Sequence, residues 1–137
     1  MRAYILIVVA ILSLTVLTAA QAKQRIELQT GETKGVLGSK LNIKFLGIVE
    51  DSRCPKGTTC IWAGNAKVSI RVWKKNQKPV DLELNSTLDP RAVEFSGYQI
   101  TLTGLSPKTD GGDIGTKTKG KDLPPSTAVF EVAKLKG

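Results

Sequence analysis

The sequence predicts an all-β domain, an antiparallel sandwich of immunoglobulin-like type. Apolar and polar residues alternate with a period of two in several segments after Ala22, as in strands that bury one face. Turn residues separate these segments, and no segment after Ala22 has helical periodicity. Short strands joined by turns, without helices between them, are typical of sandwiches and barrels. A small β-barrel is therefore the alternative architecture.

Residues 1–22 have the composition of a secretory signal peptide. Arg2 supplies a positive charge, residues 4–16 form an apolar run, and Ala20 and Ala22 occupy the small-residue positions of a cleavage site. The apolar run is shorter than the roughly 20 residues that a transmembrane helix needs. We therefore expect cleavage after Ala22 rather than a retained anchor.

Residues 23–137 have the length of one modest domain. Nothing in this part is apolar enough to span a membrane, so we expect a soluble protein that is periplasmic or secreted. Lys and Arg number 20 against 12 Asp and Glu, a formal net charge of +8. Because the basic residues are scattered and not interleaved with aromatic residues, nucleic acid is not an expected partner.

The predicted strands are marked by apolar residues at alternate or adjacent positions. In chain order these residues are Ile26 and Leu28; Val36 and Leu37; Leu41, Ile43 and Phe45; Val68, Ile70 and Val72; Val80, Leu82 and Leu84; Tyr98, Ile100 and Leu102; and Ala128, Phe130 and Val132. The third strand stays apolar as far as Val49, and we expect it to bend at Gly47.

One hairpin is predicted by its charges as well as by its alternation. The strand around Ile70 carries Lys67 and Arg71 on its polar face, and the next strand carries Asp81 and Glu83. Opposite charges on paired strands contribute about 0.2 to 1 kcal/mol per pair. We therefore expect these two strands to be neighbours.

A long polar connection precedes the last predicted strand. Residues 106–125 contain four glycines and the pair Pro124–Pro125, which makes a packed element improbable on composition. Connections of more than about 12 to 15 residues are uncommon in compact domains. We expect a flexible loop here within a single domain.

Cys54 and Cys60 are the two cysteines of the chain. In an oxidising compartment paired thiols are normally bridged, so we expect a disulfide between them. Such a bridge closes a loop of seven residues. The chain-entropy model assigns a loop of this size a stabilisation of about 2 to 2.5 kcal/mol.

Two interpretations of the cysteine-containing loop remain open. In the first it is a recognition loop, because Pro55 restricts the backbone, Arg53 and Lys56 offer cationic contacts, and Trp62 follows the second cysteine. In the second it is a structural clip, in which Trp62 packs on the disulfide and Asp51 pairs with Arg53.

The segments Asp51-Ser52-Arg53-Cys54-Pro55 and Cys60-Ile61-Trp62-Ala63-Gly64 resemble a pattern of uncharacterised bacterial exported proteins and lipoproteins. The resemblance covers about fifteen residues and implies a small β domain outside the cytoplasm. It implies no activity. This chain departs from the lipid-anchored members in having no cysteine near the cleavage site.

Catalytic and metal chemistry is poorly supported. The chain contains no histidine, which excludes Ser-His and Cys-His nucleophilic mechanisms. Because the two cysteines are also expected to be bridged, a zinc site would lack its usual nitrogen and sulfur ligands. Asp110 and Asp113 flank two glycines but lack the further oxygen ligands that calcium needs. We expect no catalytic residue, no metal and no cofactor.

The favoured hypothesis is an exported, non-enzymatic binding or inhibitory module that meets an extracytoplasmic protein through the loop. A structural protein associated with the cell envelope through its basic surface is the alternative. A carboxylate-based hydrolase is a third hypothesis, for which the available neighbours are Glu50 with Asp51 or Asp81 with Glu83. Asp81 and Glu83 are better explained as the solvated face of a strand.

Overall fold

The structure is a computed structural model that describes residues 22–54, 59–61, 64–106 and 125–136, together with the backbone of 118–119. Every regular element in this part of the chain is a β-strand. The strands are β1 (Gln24–Gln29), β2 (Thr33–Gly35), β3 (Leu41–Asp51), β4 (Ala66–Lys74), β5 (Val80–Asn85), β6 (Ala92–Phe95), β7 (Tyr98–Ser106), β8 (Thr118–Lys119) and β9 (Thr127–Lys134).

The strands form two antiparallel sheets that are not closed into a barrel. One sheet has the order β1-β9-β7-β6, and the other has the order β2-β3-β4-β5, with β8 paired to β3. The predicted all-β sandwich is confirmed. Its connections run mainly between neighbouring strands, as in a meander, whereas immunoglobulin domains use Greek-key connections.

The core lies between the two sheets and is made by the alternating apolar residues. Phe45 of β3 and Phe130 of β9 are both fully buried and meet edge to face, with ring centroids 6.0 Å apart and planes inclined by 66°. This is the geometry that aromatic pairs favour. The core therefore joins the middle strands of opposite sheets, as the alternation predicts.

The predicted hairpin of β4 and β5 is confirmed. Arg71 lies opposite Asp81 in the register, and its Nε and Nη2 donate to the two carboxylate oxygens at 2.6 and 2.8 Å. Lys67 lies opposite Asn85 rather than an acid. Its Nζ is 3.8 Å from Glu83, so the second charge pair is diagonal and looser.

The irregularity expected in the third strand is present. The pairing of β3 with β4 shifts between Phe45 and Gly47 and again between Ile48 and Glu50. Gly47 has φ 134°, a backbone conformation that favours glycine. These bulges bend the strand that leads into the cysteine-containing loop.

The second strand differs from its prediction by a few residues. It spans Thr33–Gly35, ahead of the expected Val36 and Leu37. Val36 is buried in the core, whereas Leu37 is 84% exposed in the following turn. The two adjacent apolar residues could not both face the interior, and the turn orients only the first one inward.

One strand, β6, is absent from the sequence-based prediction. It pairs with β7 through the two-residue turn Ser96-Gly97, in which φ is 52° and 83°. Positive φ at both central residues is the hairpin geometry that fits the twist of the strands. Val93 and Phe95 before this Ser-Gly pair are the signal that identifies the hairpin.

Most of the long polar connection lies outside the described residues, and so does the predicted signal peptide up to residue 21. Within the connection, β8 pairs with Glu50 and Asp51 at the end of β3, which the polar composition did not predict. No helix in the described part of the chain is long and apolar enough to cross a membrane.

Candidate functional site

Residues 52–65 connect β3 to β4 and are here called the cysteine segment, of which the structure describes 52–54, 59–61 and 64–65. Hydrogen bonds between Ser52 and Asn65 close its base. The Ser52 N–H and Oγ donate to the Asn65 carbonyl at 2.7 and 2.9 Å, and the Asn65 N–H donates to the Ser52 Oγ at 3.2 Å. The two ends of the segment are therefore held together at Ser52 and Asn65, a pairing here called the neck.

Asp51 and Arg53 form an ion pair at this neck. Arg53 Nε and Nη2 donate to the two Asp51 oxygens at 2.9 and 2.7 Å, and the Arg53 backbone N–H donates to Oδ1 at 3.1 Å. The side chains are 0% exposed for Asp51 and 11% exposed for Arg53. This is the pairing expected if the loop is a structural clip.

Arg53 also connects the two sheets. Its Nη1 donates to the carbonyl of Leu105 at 3.0 Å, and Leu105 belongs to β7 of the opposite sheet. A guanidinium has a planar, rigid fork of donors, so contacts to Asp51 and Leu105 together fix its orientation. Arg53 was predicted as a binding residue, and its positioning role is a finding of the structure.

The predicted disulfide between Cys54 and Cys60 is present. The two Cα atoms are 5.8 Å apart, a normal separation for a disulfide. Of the other predicted binding residues, Pro55, Lys56 and Trp62 lie outside the described residues.

The loop between β5 and β6, residues 86–91, is joined to the cysteine segment through Asn65. Asn65 Nδ2 donates to Asn85 Oδ1 at 2.8 Å, and Asn65 Oδ1 accepts from the N–H groups of Thr87 and Leu88 at 3.1 and 3.3 Å. One side chain thus orders a second loop beside the first. Nothing in the sequence pattern singled out this asparagine.

Gly64 lies where two backbones approach each other. A Cβ at this position would overlap the carbonyl oxygen of Ser52 and would lie 2.5 Å from the Arg53 Cα. The Gly64 carbonyl in turn accepts a hydrogen bond from Thr87 Oγ1 at 2.9 Å. A side chain at this position would push the backbone at Gly64 away from the backbone at Ser52 and Arg53.

Two exposed apolar side chains lie on these joined loops. Ile61, directly after the second cysteine, is 98% exposed, and Leu88 is 60% exposed. Isolated exposed apolar residues are common. Ile61 is unusual because it is nearly fully exposed on a segment that is closed by a disulfide and anchored at its neck.

A cleft of about 340 Å³ lies between the cysteine segment, the 86–91 loop and β7. Its lining residues include Arg53 and Arg91, the hydroxyl residues Ser86, Thr87 and Thr103, and the apolar residues Leu102 and Leu105. Arg91 is exposed. The cleft therefore combines positive charge, polar groups and an apolar wall.

An irregularity in β7 shapes one side of this cleft. The pairing of β7 with β9 shifts between Leu102 and Gly104, which leaves Thr103 as the extra residue. Thr103 Oγ1 donates to the carbonyl of Val129 at 3.1 Å. Bulges of this kind are frequent beside binding sites because they redirect side chains.

Metal binding and acid-base chemistry each place requirements on the described residues. Within the described ranges, no three His, Cys, Asp or Glu residues cluster closely enough to hold a metal ion, and Asp110 and Asp113 lie outside those ranges. The hydrogen bond from Arg71 lowers the pKa of Asp81. A lowered pKa opposes a role for this carboxyl as a proton donor.

Comparison of the chain with protein-family models, with curated proteins and with solved structures gives no match. The chain's own residues are therefore the basis for proposing a function. Sequence reasoning identified Arg53 and the cysteines but missed Asn65, Arg91 and Thr103. For Arg91 the available signal was its place directly after Pro90 in a turn-rich stretch between strands.

Proposed function

We propose that this chain is an exported, non-enzymatic binding or inhibitory module that contacts an extracytoplasmic protein through the cysteine segment. The observation that carries the proposal is Ile61, an apolar side chain that is 98% exposed. It lies beside Cys60, inside a segment whose ends are fixed to the core.

The anchoring of the segment supports a recognition role. The disulfide, the Ser52 to Asn65 hydrogen bonds and the Asp51 to Arg53 ion pair hold the described parts of the segment in the free protein. A restrained loop loses less conformational entropy on binding than a free one. The contacts that make the segment a structural clip would therefore also favour its use as a recognition loop.

An exported location supports the same proposal. Residues 1–22 have the charge, apolar run and small residues of a cleaved signal, and a disulfide persists in oxidising compartments. Mass spectrometry of the protein recovered from periplasm or medium should give Lys23 as its first residue. Recovery of the intact chain in the cytoplasm with free thiols would contradict export.

Affinity capture with matched variants tests the binding role. The purified oxidised protein is immobilised and exposed to the envelope and medium fractions of the producing organism. Replacing Ile61 by Glu should abolish capture of the partner, because a charge cannot enter an apolar contact without a large desolvation cost. Replacing Lys56 by Glu should weaken the capture while leaving the melting temperature unchanged.

Leu37 provides the control. It is 84% exposed but lies in the turn before β3, at the opposite end of that strand from the cysteine segment. The Leu37→Glu variant should capture the partner as the unmodified protein does. Equal capture by all variants would overturn the proposal, and loss of capture at high salt regardless of Ile61 would favour an envelope-associated role through the basic surface.

A further inference from the structure

We infer that the cleft between the cysteine segment, the 86–91 loop and β7 binds a small hydroxylated carboxylic acid, with Arg91 as the residue that receives the carboxylate. This ligand site is separate from the protein contact proposed for Ile61. It is carried by the charge of the cleft, by the fixed position of Arg91 and by the hydrogen-bonding state of the lining hydroxyl groups.

The charge of the cleft favours a single negative charge on the ligand. The charge of Arg53 is compensated by the buried carboxylate of Asp51 at 2.7 Å. Arg91 has no ion pair with any residue in the described part of the chain. One uncompensated guanidinium matches a monoanion, and its planar fork matches a carboxylate.

The backbone holds Arg91 against the cleft. The Arg91 carbonyl accepts from the Leu102 N–H at 3.0 Å, and the carbonyl of the preceding Pro90 accepts from the Asn85 N–H at 2.8 Å. The residue is thus fixed between β5 and β7 while its side chain stays exposed. A fixed origin for a long side chain reduces the entropy lost when it binds.

The hydroxyl groups of the cleft indicate what else the ligand must offer. Thr87 Oγ1 donates its proton to the Gly64 carbonyl at 2.9 Å, and Thr103 Oγ1 donates to the Val129 carbonyl at 3.1 Å. Thr87 Oγ1 also lies 3.4 Å from Ser86 Oγ, from which it can accept a hydrogen bond. Each threonine oxygen then retains at least one lone pair that can accept a further hydrogen bond. A ligand that carries hydrogen-bond donors beside the carboxylate would use these acceptors.

Hydroxyl groups are better donors for this site than an ammonium group. The described residues that line the cleft include no Asp or Glu, so an ammonium would enter a positively charged site without a counter-charge. The volume of about 340 Å³ is at the lower end of ligand pockets, which span about 300 to 1,000 Å³. A hydroxy acid of sugar-acid size satisfies these requirements.

Nuclear magnetic resonance titration tests the inference. Sodium gluconate, glucuronate and lactate are added separately to the isotope-labelled oxidised protein at constant ionic strength, with glucose and inorganic phosphate as comparison probes. At least one hydroxy acid should shift the amide signals of Thr87, Arg91 and Gly104 saturably, whereas glucose should not. Saturation by phosphate alone, or equal binding of glucose, would overturn the assignment.

Matched variants locate the site. Arg91→Gln should weaken binding of the hydroxy acid by about tenfold or more, since a charge-assisted pair is lost. Lys78→Gln, an exposed change in the distant turn after β4, should leave the affinity unchanged. Ile61→Glu should also leave it unchanged, which separates this site from the protein contact. Unaltered binding by Arg91→Gln, or no saturable shift with any of the three acids, would refute the inference.

Discussion

The carboxylate of Asp51 and the guanidinium of Arg53 form a two-point ion pair, with oxygen to nitrogen distances of 2.9 and 2.7 Å. Both groups are almost completely removed from solvent. Asp51 is the last residue of β3, so the pair holds the start of the cysteine segment against the sandwich. The contact of Arg53 with the Leu105 carbonyl extends this attachment to the second sheet.

Removal of the Asp51 carboxylate should destabilise the protein strongly. Asp51→Ala leaves the guanidinium of Arg53 nearly buried without its counter-charge, and breaking a buried pair in this way costs about 3 to 5 kcal/mol. Urea unfolding followed by tryptophan fluorescence measures the loss. The native state of the variant should also be cleaved faster by proteases within residues 52–65.

The exposed pair of Arg71 and Asp81 is the matched control. Its geometry is equally two-pronged, but the side chains are 44% and 49% exposed. Asp81→Ala should therefore change the stability far less than Asp51→Ala does. Equal losses for the two variants would show that burial does not determine the contribution of the Asp51 to Arg53 pair.

The disulfide should stabilise the protein mainly by restricting the conformations of the unfolded chain. Replacing both Cys54 and Cys60 by Ser removes a loop constraint worth about 2 to 2.5 kcal/mol in the chain-entropy model. Both cysteines lie between β3 and β4, outside the strands, so the far-ultraviolet circular dichroism spectrum should be unchanged. A loss of folded structure in this variant would mean that the neck contacts alone cannot hold the segment.

Gly64 should not tolerate a side chain. Gly64→Ala places a methyl group on the Ser52 carbonyl oxygen. The overlap can be relieved only if the backbone at Gly64 moves away from that at Ser52. Overpacking of this kind costs about 1 to 3 kcal/mol. Gly35→Ala is the control, since its Cβ would meet Asn42 Oδ1 at an ordinary 3.5 Å. Thermal unfolding of the two variants should therefore differ clearly.

Much of the fold could be predicted because alternation reports directly on burial. Residues such as Ile43 and Ile70, at alternate positions of their strands, are fully buried. The pattern failed where a strand is short or edge-placed. In β6 only Val93 and Phe95 alternate. β8 consists of two polar residues that are placed by their pairing with β3, and a pairing with a distant strand leaves no pattern in the local sequence.

The candidate site could be predicted only in part, for a physical reason. Cys54 and Cys60 are close in sequence, and so are Asp51 and Arg53. Contacts between such near neighbours could be predicted from the sequence. The cleft joins Arg53 with Arg91 and Thr103, which are distant in sequence and meet only through the arrangement of the two sheets. Asn65 contacts the 86–91 loop in the same non-local way.

Stability should fall in acid partly through Glu32 and Asp81, whose pKa values are both lowered in the folded protein. The backbone N–H of Gln29, at 2.8 Å, is the main cause for Glu32, followed by Lys34. The hydrogen bond from Arg71 is the main cause for Asp81.

A pKa that is lower in the folded than in the unfolded state means that the unfolded chain takes up protons first as the pH falls. The contribution of each carboxylate is therefore fully present above its ordinary pKa, which is 4.5 for Glu32 and 3.8 for Asp81. It is lost as the pH falls through the lower folded value. Urea unfolding at a series of pH values from 7 to about 3 measures this loss. The double variant Glu32→Gln, Asp81→Asn should start less stable at pH 7 and lose less stability in acid. Parallel curves for the two proteins would mean that neither carboxylate contributes to the acid sensitivity of the fold.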